Sequence, residues 1–430
     1  MRIIHLLPGA GGGFYCENCI RDAVFLRQLY KLGHDAVALP MYLPAGAEHR
    51  DISKGPMFFG GVNVFLQQKF NFFRKTPRWL DSLLDSPKLL SKLAVNAKMT
   101  SARQLGETTL SMLQGMDGKQ FKELERLLEW LILPGNKPDV VILSNALLLG
   151  LARPIREKLG CAVVSFLQDE DGFIDGLGNP WSQRVWGLMR QCAAHVDLFI
   201  AVSRYYQSFM AKKLALAPSK IQCLYLGLNL DDYEPVSNFP EIPTIGYLAR
   251  MCVDNGLDIL IEAVHILAGD ERLQNIRVNI CGGKTCDDEA LLGRLQSQIR
   301  LWKLQNQIVF IDDFSVQSRS DFLRSISVMC VPFRKPAAYG LCVLEAMASG
   351  VGFVQPAAGV FPEYAQLSDA GMLYEPNSPE RLAETLKPLL LDRQKMREQG
   401  LHGRRAMEQY FNLLTAGRQC AEMLEGVIRK

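Results

Sequence analysis

The sequence has no apolar run long enough to cross a membrane, no excess of either charge and no low-complexity tract. Its longest apolar stretch, Val140–Ala152, is interrupted by Ser144 and Asn145 and stops at Arg153, well short of the roughly 20 residues a spanning helix needs. Met1 and Arg2 lead into a short apolar run ending at Pro8 and glycines, which reads as a strand entering a turn, not as a secretory signal. Lys plus Arg number 48 against 45 Asp plus Glu, leaving +3, and this balance argues against a nucleic-acid coat protein. Nothing repeats at a fixed short period, which argues against solenoid arrays. The 11 cysteines are scattered and odd in number, so a reducing cytoplasm is expected and an oxidised framework is not. At 430 residues with 48% apolar and 22% charged side chains, two large globular domains or three small ones are expected.

What is present alternates strand and helix almost throughout. Apolar runs at 2–7, 35–39, 139–143, 162–167 and 198–202 read as buried parallel strands separated by helical segments. The rhythm breaks at about 60–135, read as a helical insertion with a further candidate strand at 58–66. Turn and linker residues, with Pro235, Pro240 and Pro243, precede a second series with strands at 244–248, 277–281, 308–311, 328–332 and 352–355. The expected fold class is α/β, with two Rossmann-like doubly wound domains facing each other across a cleft. Domain 1–235 carries the insertion, domain 236–410 follows, and a C-terminal helix at 411–430 is expected to pack back on the first domain.

Candidate chemistry concentrates in 332–363, which reads strand, loop, helix, glycine turn, strand, loop, helix. Tyr339 and Gly340 sit just before a helix, so the amides of Gly340, Leu341 and Cys342 are expected to point into the cleft, where free N–H groups and the positive helix end bind phosphate. Glu345, about one turn further on, is either an acceptor for a ribose diol or an ordinary charged helix residue. Gly9–Gly13 follow the first strand and either line a phosphate or make a plain tight turn. Cys16-Glu17-Asn18-Cys19 opens the next helix; structural thiols are the simpler reading, a redox or metal role the alternative. Asp169, with Gln168, follows a strand and either orients an acceptor hydroxyl or belongs to a capping cluster. The mixture of aromatic and basic residues at 69–79 suits either contact with anionic lipid or a helix with a core face and a solvated face.

The 332–363 segment resembles the donor-site signature of retaining GT-B glycosyltransferases of the GT4 type, in which two glutamates are separated by seven residues, an aromatic-Gly-Leu lies between them and a Pro-Glu follows. Further pieces fall in order: Gly11-Gly12-Gly13, Gly33-His34-Asp35, Lys137-Pro138-Asp139, Asp197 to Ser203, Gly227-Leu228-Asn229, Gly246 to Arg250, Gly256-Leu257 and Cys281-Gly282-Gly283. The resemblance implies that a nucleotide-diphosphate sugar is bound mainly by the second domain, and that its sugar, of hexosyl type, is transferred with retention to a glycan, lipid-linked or small-molecule acceptor. It implies ribose binding by Glu345, diphosphate binding by Arg250, and Leu341 and Cys342 amides beside the phosphates. It implies no protein metal and no further cofactor. The family's first glutamate falls on Ala337 and its second cation on Asn255; Lys284, Arg334 or Lys335 either replaces that cation or is a surface charge. These two losses keep open a catalytically weak or inactive protein that binds nucleotide or glycan, or supports a partner. The expected location is cytoplasmic, with peripheral contact at the inner membrane face if 69–79 touches lipid.

Overall fold

The computed structural model describes residues 1–8, 15–42, 58–59, 102–236, 239–313 and 315–429. Gly11, Gly12, Gly13 and the stretch 69–79 lie outside the described residues. The chain separates into two compact units. The first holds the described residues up to 8, those from 18 to 224 and those from 417 on; the second holds residues 15–17 and those from 225 to 416.

In the first unit six parallel strands, β1 (Arg2–Leu7), β2 (Asp35–Pro40), β3 (Val140–Leu143), β4 (Ala162–Leu167), β5 (Leu198–Ala201) and β6 (Ile221–Cys223), form one sheet in the order β2-β1-β3-β4-β5-β6. Ile3 lies opposite Ala36 on one side and Val140 on the other. Every residue of β3 is buried, as expected for a central parallel strand covered on both faces. In the second unit β7 (Thr244–Leu248), β8 (Arg277–Cys281), β9 (Ile308–Ile311), β10 (Val328–Met329), β11 (Gly352–Pro356) and β12 (Gly371–Tyr374) form a parallel sheet in the order β12-β11-β10-β7-β8-β9. Strand order reverses between β1 and β3 in one sheet and between β7 and β10 in the other. Such switch points open crevices at the strand C-termini, where open α/β sheets hold ligands.

The ten strands expected in the two βα series are present, while the further candidate at 58–66 lies outside the described residues from 60 on. β10 stops at Met329 instead of running to Pro332. Short strands β6 and β12 were not anticipated; three and four residues carry too little pattern to be read. The first unit ends at Leu224, before the expected boundary at 235. The cause is local: the Tyr225 ring meets Phe411 at 5.3 Å, and the Leu228 N–H donates to the Phe411 carbonyl at 3.0 Å. Within the expected insertion, Ala102–Leu113 and Phe121–Ile132 are helical. The last helix, Leu413–Ile428, joins the first unit from Gly417 onward, where a Cβ on Gly417 would stand 2.4 Å from Gln28 Cγ. Among the described residues no helix is long and apolar enough to cross a membrane.

The helix Leu341–Ala348 lies at the second unit's switch point, and all eight of its residues are buried. Gly340 caps it with φ 62° and ψ 70°, and a Cβ there would come 2.7 Å from the Phe361 ring. Only glycine adopts this backbone without strain. Gly340→Ala is expected to lower unfolding free energy by about 1–3 kcal/mol in urea titration. Gly293→Ala, in the helix Glu289–Leu301 with open space around it, should be neutral or stabilise by up to about 1 kcal/mol.

Candidate functional site

In the second unit the chain leaves β7 at Leu248 and β8 at Cys281, and the two strand-end turns lie against each other. The Ala249 N–H donates to the Cys281 carbonyl at 3.1 Å, and a Cβ on Gly282 (φ 129°) would stand 2.3 Å from the Ala249 carbonyl oxygen. Arg250 follows immediately. Its Nε and Nη2 donate to the two oxygens of Asp288 at 2.9 and 3.0 Å, and Nη2 also donates to Thr285 Oγ1 at 2.8 Å. Asp288 closes a capping box with Thr285. Burial would raise its pKa, but the Arg250 and Thr285 hydrogen bonds outweigh burial and hold the carboxyl below the usual range. The guanidinium is thus fixed by a bidentate, charge-assisted contact. Asn255 donates to the Arg250 carbonyl at 2.8 Å, so the residue standing where the family has a cation supports the Arg250 backbone instead.

The replacement cations divide. Arg334 forks onto Asp258 at 2.7 and 2.6 Å, and Lys335 contacts Asp254 at 3.0 Å. Lys284 is exposed on the glycine turn after β8, and among the described residues it makes no ion pair.

Glu345 is fully buried, with 0% exposure. Its Oε2 accepts from the Tyr15 hydroxyl at 2.5 Å and its Oε1 from the Tyr233 hydroxyl at 2.8 Å. Arg319 Nε stands 3.4 Å from Oε1, and its guanidinium carbon lies 5.6 Å from the centre of the Tyr15 ring. Burial, and then the Glu345 charge, push both phenols well above their ordinary pKa, so they remain protonated donors. The Tyr15 N–H donates to the Gly282 carbonyl at 2.8 Å. Two residues on, the half-buried Glu17 carboxyl lies close enough to the amides of Leu341 and Cys342 for them to favour its charged form. Burial raises its pKa to about 7; the two amides oppose that shift and the Glu345 charge adds to it.

Of the residues named from sequence, Gly340, Leu341, Cys342 and Glu345 thus come together on one buried helix. Tyr15, Glu17, Tyr233 and Arg319 were missed. No pattern joins them, because Tyr15 and Glu345 are 330 residues apart. Cys16 and Cys19, for which structural thiols are the simpler sequence reading and a redox or metal role the alternative, are disulfide-bonded.

Asp169 belongs to the first unit. It is exposed with a left-handed φ of 69° at the start of the helix Glu170–Gly176, and its side chain makes no capping hydrogen bond. Its neighbours carry the buried network. Glu170 accepts from the amides of Ala146 and Gln168, both at 2.9 Å, and from Tyr206 at 2.8 Å. Gln168 accepts from the fully buried Arg21, whose guanidinium lies 4.1 Å over the Phe166 ring. Burial, and then Arg21, depress His5 to about 3, so this imidazole stays neutral. Among the described residues no group of three His, Cys, Asp or Glu is placed to hold a metal ion.

The family model described as Glycosyl transferases group 1 matches residues 232–405, and that described as Glycosyltransferase Family 4 matches residues 113–232. Fold and matches agree, and the chain belongs to the GT4-type glycosyltransferases of the GT-B fold. Among curated relatives, a D-inositol 3-phosphate glycosyltransferase of Corynebacterium glutamicum is 26% identical over 34% of this chain and 35% of its own length. A GDP-mannose-dependent alpha-(1-6)-phosphatidylinositol monomannoside mannosyltransferase of Mycobacterium tuberculosis is 23% identical over 56% and 64%. The chain therefore spans between about a third and two thirds of the relatives it matches. Among solved structures, sucrose-phosphate synthase of Thermosynechococcus elongatus superposes with a TM-score of 0.74 at 16% identity over 100% of both chains. Anabaena HepE in complex with UDP and glucose gives 0.69 at 17% identity over 99% of both.

The Glu17 geometry predicts a pH dependence. The folded chain keeps the Glu17 proton up to about pH 7, while the unfolded chain loses it near 4.5. Between those values the folded state binds the extra proton, so this group's contribution to stability falls as pH rises. Urea unfolding of wild type and Glu17→Gln at a series of pH values should show the steeper decline in wild type. Equal slopes would contradict the assignment.

Proposed function

We propose that this protein is a glycosyltransferase that moves a hexosyl group from a nucleotide-diphosphate sugar to a glycan, lipid-linked or small-molecule acceptor, with retention at the sugar carbon. The observation that carries the reading is the start of the helix Leu341–Ala348, where Gly340 caps the chain at φ 62° and ψ 70° just ahead of the Leu341 and Cys342 amides. The first amides of a helix have no intrahelical partner, and such a helix end receives a phosphate oxygen. Family membership supports it, as do the complexes of Anabaena HepE with UDP and with UDP-glucose.

In this reading Glu345 receives the ribose, the two amides receive the diphosphate, and Arg250 faces its charge. The bond between the sugar carbon and the diphosphate oxygen breaks with its electron pair going to the diphosphate. Preorganised amides and a guanidinium stabilise that growing charge, so no protein metal is required. The acceptor oxygen bonds to the sugar carbon on the face the leaving group vacates, and its proton passes to the departing phosphate. Lys284 stands in for the cation lost at Asn255, because Arg334 and Lys335 are already paired with Asp258 and Asp254. Asp169 orients the acceptor hydroxyl, and the turn Gly11–Gly13 lines the site.

A second reading, a weak or inactive protein that binds nucleotide or supports a partner, draws on Ala337 and on the commitment of Arg250 to Asp288. Thermal unfolding with UDP, GDP and ADP separates the two. A nucleotide at 100 times its dissociation constant should stabilise by about 2.7 kcal/mol. Arg250→Met should weaken that affinity roughly 10- to 100-fold, the worth of hydrogen bonds to a charged group. Turnover of the matching nucleotide sugar, abolished in Glu345→Ala, supports the enzyme. Nucleotide binding without turnover supports the second reading, and no response to any nucleotide contradicts both.

A further inference from the structure

We infer that residues 15–17 form an internal stand-in for the donor nucleotide, an autoinhibitory strap that must leave its seat before a nucleotide-diphosphate sugar can bind. The inference rests on the donor-site reading above and adds a step to it. One contact carries it, chemically equivalent to a nucleotide contact. The Tyr15 hydroxyl donates to Glu345 Oε2 at 2.5 Å, where a ribose hydroxyl would donate. The Glu17 carboxyl lies near the Leu341 and Cys342 amides, where a phosphate oxygen would come. One short segment thus offers a hydroxyl and an acid in the pairing a nucleoside diphosphate offers, and to the same helix.

The strap leaves no room for a competitor. Tyr15 is 4% exposed and Glu345 0%, so nothing reaches the carboxylate while the phenol covers it. The segment is anchored through its backbone, by the Tyr15 N–H to the Gly282 carbonyl at 2.8 Å, and Arg319 backs the ring. It is also built to yield. Glu17 is an acid brought close to a second acid, Glu345, and a diphosphate offers the same amides more negative charge and more acceptor oxygens. Free amides at the start of a helix bind a phosphate oxygen readily. Affinity for nucleotide is then reduced by the fraction of molecules in which the strap is seated.

The test uses the whole protein, with UDP and GDP as probes. Calorimetry on wild type, Glu17→Gln, Tyr15→Phe and the double variant should show nucleotide binding tightened about 10-fold or more in the double variant, as expected when a seated fraction of 90% or above is released. Amide hydrogen exchange on wild type, which needs no substitution, should show the Tyr15 N–H losing protection when nucleotide saturates. Near-UV circular dichroism confirms that the variants are folded. Equal or weaker binding by a folded double variant overturns the strap and makes Tyr15 and Glu17 ordinary ligands of the nucleotide. A Tyr15 amide that stays protected with nucleotide bound overturns it as well. If neither nucleotide binds wild type or variants at millimolar concentration, the donor-site reading itself fails and the strap with it; that outcome is distinct from tight binding that ignores the strap.

Discussion

A carboxylate with no access to water is the constraint around which the second unit is arranged. Taking an ionised glutamate out of solvent costs several kcal/mol unless charge and hydrogen bonds replace the water. Glu345 replaces it with two phenol hydroxyls and a guanidinium. Those partners come from three distant stretches: the segment before the first helix, the chain after β6, and the helix Val316–Arg324. The demand for satisfied hydrogen bonds therefore brings these stretches to one point on the helix Leu341–Ala348. A helix buried on every side is normally apolar all round. A glutamate kept at its centre marks a group retained for something other than solvation.

The same helix shows how backbone geometry and charge are combined. Gly340 turns the chain through a left-handed conformation, so the next amides are free of intrahelical partners. The cations nearby are mostly committed: Arg250 to Asp288, Arg334 to Asp258, Lys335 to Asp254. Commitment is not loss of function, because a guanidinium held bidentately keeps its orientation and part of its charge for an arriving anion. Under the donor-site proposal, affinity for a diphosphate depends on amides as much as on side-chain cations.

Much of this architecture is legible in the chain itself. Parallel strands covered on both faces need unbroken apolar runs, and ten of the twelve announce themselves that way, from Arg2–Leu7 to the second series beginning at Thr244. Edge strands Ile221–Cys223 and Gly371–Tyr374 do not, since a handful of residues at a sheet's margin need little burial. Gly340, Leu341, Cys342 and Glu345 could be singled out because one segment carries them all. The partners could not. Tyr15, Tyr233 and Arg319 meet Glu345 only through the folded topology, and a tyrosine or arginine alone carries no mark of its partner. That Cys16 and Cys19 are disulfide-bonded was missed for a different reason: composition spoke for a reducing compartment, and a two-residue spacing is equally compatible with free thiols.

The central claim is that the Leu341 and Cys342 amides and the Glu345 carboxylate grip a nucleoside diphosphate. The most direct measurement is titration of the nitrogen-15-labelled protein with UDP and GDP, following the Leu341 and Cys342 amide resonances. The account predicts that both shift and saturate together with the calorimetric binding curve. Resonances that stay still while nucleotide binds would place the nucleotide elsewhere and contradict it.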